Sequence, residues 1–415
     1  MPTPYLINRT LFSPQITSVP NANLGIVVVI PCYNERELLS SLKALYQCEV
    51  SFCAVEVIIV INESIISEDT IKFQNKSTLQ EAKSWVSKYS TLHKQFHLIY
   101  QTDLPAKKAG VGLARKIGMD EAAFRLEVVG NPKGVITGFD ADSLCQENYF
   151  IAIENHFKKY PDIQAASIWY EHPLSGDHFE DRIYHAIAQY ELHLRYFTLA
   201  KRFADYPHAF ETIGSSMAVR ADAYQQQGGM NTRKAGEDFY FLNKFIVLGK
   251  LNELNTTQVI PSPRISDRVP FGTGKAIGDL LEQEESLTTY AFQSFEDLKS
   301  FIGFIPEIYK QPDFDWNYLP LSIAGFLKTV DAAVRIAEIR KNTNGFEAFK
   351  KRFFRWFDPF MLMKYVHFAR DEFYPNIAVR EAGRWILENY FEQKVEEESE
   401  AELLITVRVL SKSSV

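Results

Sequence analysis

The stretch Val135-Ile136-Thr137-Gly138-Phe139-Asp140-Ala141-Asp142-Ser143 decides the fold class. A short apolar, β-branched run enters a small turn, the pattern of a buried strand leaving a parallel sheet. Open α/β sheets bind their ligands at that edge. Two carboxylates separated by one residue repel each other unless a cation lies between them, and hard oxygen donors suit Mg²⁺ or Mn²⁺ bridging to a diphosphate. The same residues also suit an acidic turn capping a helix that begins near Gln146, because Asp and Ser are favoured N-caps. Both readings stay open on this stretch alone.

The segments upstream are of the same class. Ile26-Val27-Val28-Val29-Ile30 is a strand pattern covered on both faces, followed by the turn Pro31-Cys32-Tyr33-Asn34-Glu35. Leu38, Leu39, Leu42 and Leu45 then recur at helical spacing. Val55 to Ile61 predicts a second strand ending at Asn62-Glu63-Ser64, Leu79 to Tyr89 a helix, and Phe96 to Tyr100 a third strand. Strands alternating with helices build βαβ units and a largely parallel sheet. Residues 1 to 24, rich in Pro, Asn, Thr and Ser, predict an irregular arm.

Lys107-Lys108-Ala109-Gly110-Val111-Gly112 opens a further helix carrying Arg115. It has neither a Walker ending nor a full dinucleotide fingerprint. Its amides and Arg115 suit either a phosphate or a neighbouring carboxylate. Downstream, Glu147 to Tyr160 predicts helix, Ile163 to Tyr170 strand, and Phe179 to Phe203 a long aromatic helix whose spacing is that of a packing face. Histidines 172, 178, 185 and 193 show no metal-ligand spacing and are expected to be structural.

Gly214-Ser215-Ser216 is a small-residue turn before a short strand, and Gly236-Glu237-Asp238 opens an apolar helix. Capping alone accounts for acidic residues in a first turn. Residues 261 to 275 hold three prolines and the cations Arg264, Arg268 and Lys275, the composition of a mobile basic loop or of a linker. Beyond Ala276 helical patterns run to about Gln393, followed by an acidic tail. The expected division is an arm over 1–24, an α/β domain over 25–260, the basic loop over 261–275 and a helical region over 276–415.

Composition narrows the function. The 415 residues carry a formal net charge of -7, against a general nucleic-acid binder, which needs a basic face. Cys32, Cys48, Cys53 and Cys145 lack zinc spacing and disulfide-scaffold density, so reduced thiols are expected. Neither a signal-peptide plan nor a membrane-length apolar run occurs, which predicts a cytoplasmic protein and leaves peripheral membrane contact open.

Taken in order, Pro31 to Glu35, Gly110 to Gly118, Asp140-Ala141-Asp142, Gly214-Ser215-Ser216 and Glu237-Asp238 resemble a family 2 glycosyltransferase of the GT-A fold over about residues 25 to 250. The resemblance implies a mostly parallel sheet sandwiched by helices. It also implies inverting transfer of one sugar from a UDP- or GDP-type donor to an unknown acceptor hydroxyl. By position, Pro31, Tyr33, Glu35, Asn62, Arg115, Asp140, Arg264, Arg268 and Lys275 would surround the donor. Asp142 with Asp140 would hold Mn²⁺ or Mg²⁺, Gly214, Ser215 and Ser216 would meet the acceptor, and Asp238 beside Glu237 would be the base.

Two departures are notable. Asn62-Glu63 stands where the family places an acidic pair, leaving base recognition open, and Arg352-Phe353-Phe354-Arg355-Trp356 only partly matches the processive signature, which predicts single addition. Two other classes fit parts of the pattern. A haloacid-dehalogenase-type phosphatase would use Asp140 as nucleophile and Asp142 as acid and base, though its loop normally opens the domain. A non-catalytic nucleotide-sugar-binding or scaffold protein would keep the fold without turnover.

Overall fold

Why the apolar runs become strands is plain from their burial: Val27 to Ile30 and Val57 to Ile61 are entirely inaccessible, a position open only to strands covered on both faces. The computed structural model describes residues 3–268, 272–283 and 286–413. Its main sheet has eight strands: β1 (Leu24–Cys32), β2 (Ala54–Ser64), β3 (Lys94–Leu104), β4 (Val135–Gly138), β5 (Leu144–Cys145), β6 (Ala165–Tyr170), β7 (Met217–Arg220) and β8 (Leu251–Ile260). Their spatial order is β3-β2-β1-β4-β7-β6-β8-β5. The β3-β2-β1-β4 run and the β6-β8 pair are parallel, whereas β7 runs antiparallel to both neighbours and β5 antiparallel to β8. This is the mixed, mostly parallel α/β architecture expected.

The first nine helices in chain order are α1 (Pro4–Asn8), α2 (Leu38–Gln47), α3 (Asp69–Tyr89), α4 (Val111–Val128), α5 (Tyr149–Lys159), α6 (Asp181–Phe203), α7 (Ala221–Gln226), α8 (Glu237–Leu248) and α9 (Thr273–Gln283). The chain divides into two compact units, Met1–Pro173 with Thr212–Lys275, and Leu174–Glu211 with Ala276–Val415. All eight strands lie in the first.

Several elements differ from expectation. The N-terminal arm is not wholly irregular: Thr3 caps α1 through the Leu6 amide, with Pro4 at the first helical position. Tyr5 then anchors α1 by donating to Asp120 at 2.7 Å, with Lys116 donating to its hydroxyl at 2.9 Å. Helix α3 starts ten residues before the expected Leu79, because residues 69–78 are mostly polar, with Ile71 and Phe73 their only apolar side chains. Strand β8 carries alternating polar residues and escaped the apolar-run criterion.

The second unit is helical. It contains α6, then α10 (Gln293–Gly303), α11 (Ile305–Lys310), α12 (Leu321–Thr329), α13 (Ala332–Lys341), α14 (Phe346–Trp356), α15 (Pro359–Glu372), α16 (Val379–Asn389) and α17 (Glu400–Ser413). Leu192, Tyr196 and Leu199 of α6 share one core with Phe295, Phe301, Phe353, Ile386 and Leu404, so the aromatic helix is a packing face as its spacing indicated. On α14, Phe349, Phe353 and Phe354 are buried while Arg352 and Arg355 face solvent, an amphipathic helix. The acidic tail leads into α17, whose Arg408 reaches the fully buried Glu191 of α6 at 2.5 Å. His193 is half-buried with its ring bonded to Thr289 at 2.8 Å, and loss of solvent pushes it down to about 4, a structural histidine.

Candidate functional site

The C-terminal ends of β1 and β4 stand side by side, since Val29 pairs with Gly138. Phe139 continues this contact by donating its amide to Val29 at 3.0 Å, and its ring is wholly buried against Tyr149. A tight turn follows, closed by the Ser143 amide on the Asp140 carbonyl at 3.1 Å. The anchored phenyl ring and closed turn fix the direction in which both aspartates leave the sheet.

Asp140 accepts a hydrogen bond from Arg115 Nη2 at 2.6 Å. Arg115 is only 4% exposed, and its Nη1 pairs with Glu237 at the start of α8. Burial works against that guanidinium, but Asp140, Glu237 and Asp238 together hold its pKa above the ordinary arginine value. Of the two roles open to Arg115 in the sequence, fixing carboxylates is the one the geometry has. Residues from α4, β4 and α8 thereby meet around one cation.

Gly236, in the left-handed region at φ 68°, turns the chain into α8, a conformation glycine adopts without a Cβ penalty. Glu237 and Asp238 then occupy the positive end of the helix. Asp238 is half-buried and accepts from the Phe239 amide at 2.7 Å and from the Gly214 amide. Burial raises its carboxyl above the usual aspartate value, Arg115 opposes that shift, and the charge on Asp140 reinforces it. Burial likewise raises Glu237 and Asp140. Gly214 lies against Arg115 so closely that a Cβ there would collide with the guanidinium. Ser215 and Ser216 are buried beside it.

A second group of charges adjoins the first. Glu35, 2% exposed, receives the amides of Arg36 and Glu37 on one oxygen, at 2.8 and 2.9 Å. Its other oxygen receives Arg264 at 2.6 Å and Arg268 at 3.1 Å. Arg264 also pairs with Asp142, and Arg268 donates to the Tyr33 carbonyl at 2.7 Å. The described part of the basic loop is therefore pinned to the β1 turn, and Val269, Pro270 and Phe271 lie outside the described residues. Burial and the nearby charge of Asp142 push Glu35 up, with Arg264 pulling it down. Since both oxygens of Glu35 are occupied, it orients the two arginines.

Pro31 is the penultimate residue of β1, paired with Val60, Tyr33 follows the end of that strand, and Lys275 lies in the first turn of α9. Asn62, buried at the end of β2, offers its carbonyl to Asn75 at 3.3 Å. Asn75, fully buried on α3, also accepts from the Asn34 amide at 2.9 Å. It thus ties the ends of β1 and β2 together, a role the sequence did not indicate except as a polar residue at a buried helical position.

The pairing with Arg115 and Arg264 leaves Asp140 Oδ2 and Asp142 Oδ1 without a protein donor among the described residues. The negative charge of Asp142 is one cause of the raised Asp140 carboxyl. Two such hard carboxylate oxygens are donors of the kind that would suit a divalent cation. Among the described residues, no three His, Cys, Asp or Glu side chains gather to hold a metal unaided.

No protein-family model matches the sequence, and no curated protein matches it. Among solved structures, residues 1–349 of S. aureus TarS in complex with UDP-GlcNAc align with a TM-score of 0.43 and 12% identity, over 75% of this chain and 88% of that one. Mannosyltransferase PcManGT from Pyrobaculum calidifontis, in complex with GDP-Man and Mn²⁺, aligns at 0.36 and 14% over 99% and 91%. Glucosyl-3-phosphoglycerate synthase from Mycobacterium tuberculosis, in complex with Mg²⁺ and UDP, aligns at 0.34 and 15% over 60% and 77%. These scores mark a partial likeness of chain trace, and the chemistry of the site follows from its own side chains.

Proposed function

We propose that this chain is an inverting glycosyltransferase that moves one sugar from a nucleotide diphosphate sugar, a UDP- or GDP-sugar, to an acceptor hydroxyl. The observation that carries this reading is the meeting of Asp140, Glu237 and Asp238 around the buried Arg115, with Asp142, Arg264 and Glu35 alongside. An acidic strand tip, a cationic loop and a second acidic pair are what displacement of a diphosphate by an alcohol requires.

Asp238 is the base. Its raised pKa brings it nearer the proton affinity suited to taking a proton from the attacking hydroxyl. Two backbone amides aim its carboxylate, and Glu237, locked to Arg115, keeps the start of α8 in place. Gly214, Ser215 and Ser216 border the acceptor. On the donor side Pro31, Tyr33 and Asn62 border the nucleotide, and Lys275 adds charge to that of Arg264 and Arg268. Glu35 holds those two arginines against the diphosphate.

Asp142 and Asp140 would hold Mg²⁺ or Mn²⁺ jointly with the diphosphate. Bound there, the ion supplies positive charge against the departing nucleotide. Because β4, β1 and α8 each contribute, the leaving group and the hydroxyl are oriented by separate rigid elements.

Exchange of Asp238 for Asn tests the assignment. The variant is expected to bind UDP or GDP with Mn²⁺ as wild type does, while transfer from the cognate sugar falls by about 10²- to 10⁴-fold. Unchanged transfer by the folded variant would remove Asp238 from the role of base.

A further inference from the structure

Two of the four cysteines stand together on elements that border the site. Cys48 ends α2, Cys145 lies in β5, and their sulfurs are 3.5 Å apart. The backbone is already joined beside them, since the Glu49 amide donates to the Glu147 carbonyl at 2.7 Å.

One buried cation adjoins them, and the Glu147 carboxylate acts on Cys48 in the opposite sense. Lys94 is 7% exposed, and its ammonium donates to the carbonyls of Leu45, Tyr46 and Cys48 at 3.3, 2.7 and 2.8 Å. It pairs with no carboxylate among the described residues, so its charge is compensated by carbonyl dipoles and by whatever negative charge the sulfurs carry. The sulfur-to-sulfur hydrogen bond lowers the pKa of Cys48, with help from Lys94 and against burial. The same bond, with burial, raises Cys145. A thiolate beside a lysine and a partner sulfur is the setting of reactive cysteines. The other two thiols lack it: burial raises Cys32 far above the ordinary value and Cys53 to about 11.

We propose that Cys48 and Cys145 form a reversible redox site, closed to a disulfide by a peroxide-class oxidant and reopened by a dithiol. The Cys48 thiolate attacks one peroxide oxygen, the O–O bond breaks, and a sulfenic acid and hydroxide result. The sulfur of Cys145 then attacks the sulfenic sulfur; an S–S bond forms, the S–O bond breaks, and the Cys145 proton leaves with that oxygen as water. The hydroxide takes a solvent proton, so each sulfur has lost one electron and the peroxide has become two waters.

The bond would act on the site through its position. Cys145 lies three residues after Asp142 and pairs with Val259 of β8, while Leu144 pairs with Ile260 just before the loop that carries Arg264. Helix α2 begins three residues after Glu35. Drawing β5 toward α2 thus pulls on the acidic turn and on the root of the arginine loop together, which loosens donor binding. That last step rests on the proposed transferase reading, whereas formation of the bond does not.

The test treats the full-length protein with hydrogen peroxide, alkylates what remains, and maps peptides by mass spectrometry. Loss of two of the four alkylatable thiols is expected, with a Cys48–Cys145 linked peptide that dithiothreitol dissolves. The Cys145→Ser protein should give no linked peptide and instead a dimedone-trapped sulfenic acid on Cys48. Preferential oxidation of Cys32 or Cys53, four unmodified thiols, or conversion of Cys48 to sulfinic acid without a link would overturn the proposal. In the oxidised wild type, Mn²⁺-dependent UDP or GDP binding should weaken at least 10-fold and recover on reduction. Unaltered affinity in the linked protein would refute its regulatory part, and a reduced protein binding neither nucleotide would refute the transferase reading while leaving the linkage result intact.

Discussion

Asp238 concentrates the chemistry of the site in one carboxyl group, and its raised pKa has two consequences of known sign. As a base it works only when ionised, so the acid limb of the rate profile lies above the ordinary aspartate value of about 3.9. Stability runs the other way. A carboxyl whose pKa is higher folded than unfolded contributes stability that is fully present below the unfolded pKa and lost as pH rises through the folded one. Ionised Asp238 is therefore a cost to the fold at neutral pH. The Asp238→Asn protein should melt higher than wild type at pH 7, with the difference closing in acid, as scanning calorimetry at several pH values would record. A lower melting temperature for the variant at pH 7 would contradict the direction of the shift.

Among elements, the turn before β7 sets the site most tightly. A methyl group at Gly214 collides with Arg115, so Gly214→Ala must displace the guanidinium that holds Asp140 and Glu237. Transfer is expected to drop at least tenfold with the protein still folded, measured as kcat/KM beside circular dichroism; wild-type kinetics would show that Arg115 does not set the site. Strands β1, β2 and β4 are buried on both faces and spell largely apolar runs, broken only by Glu56 and Thr137 before their polar ends, and Glu237-Asp238 opens an apolar helix, so both halves of the site were visible. Strand β8 was not, because Asn252, Glu253, Asn255 and Gln258 break the apolar pattern. Nor could spacing show that Arg115 joins Asp140 to Glu237, or that Cys48 meets Cys145, since these contacts arise from strand order.

At the scale of the molecule, the two units have separate cores, and the helical one depends on a buried charge cluster. Glu191 of α6 is fully buried and receives Arg195 at 2.7 Å and Arg408 at 2.8 and 2.5 Å. Replacing Arg408 by Met removes hydrogen bonds to a buried carboxylate, a loss of about 1.5–3 kcal/mol for bonds to a charged group. Urea unfolding followed by tryptophan fluorescence should show that loss; an unchanged midpoint would mean that the Arg408–Glu191 bonds add nothing to the stability of this core. The cluster is not legible in the sequence, because the acidic run Glu396-Glu397-Glu398 interrupts the helical pattern after Gln393 and hides α17. No helix among the described residues is long and apolar enough to cross a membrane, in line with the absence of such a run in the sequence.

The most direct measurement of the donor site is calorimetric titration of UDP and GDP into wild-type and Asp142→Ala protein, with and without Mn²⁺. One nucleotide should bind wild type only when the metal is present, and that binding should vanish in the variant. Equal affinity in both proteins, or no binding of either nucleotide to folded wild type under any of these conditions, would contradict the placing of a metal-held diphosphate between the β4 turn and the arginine loop.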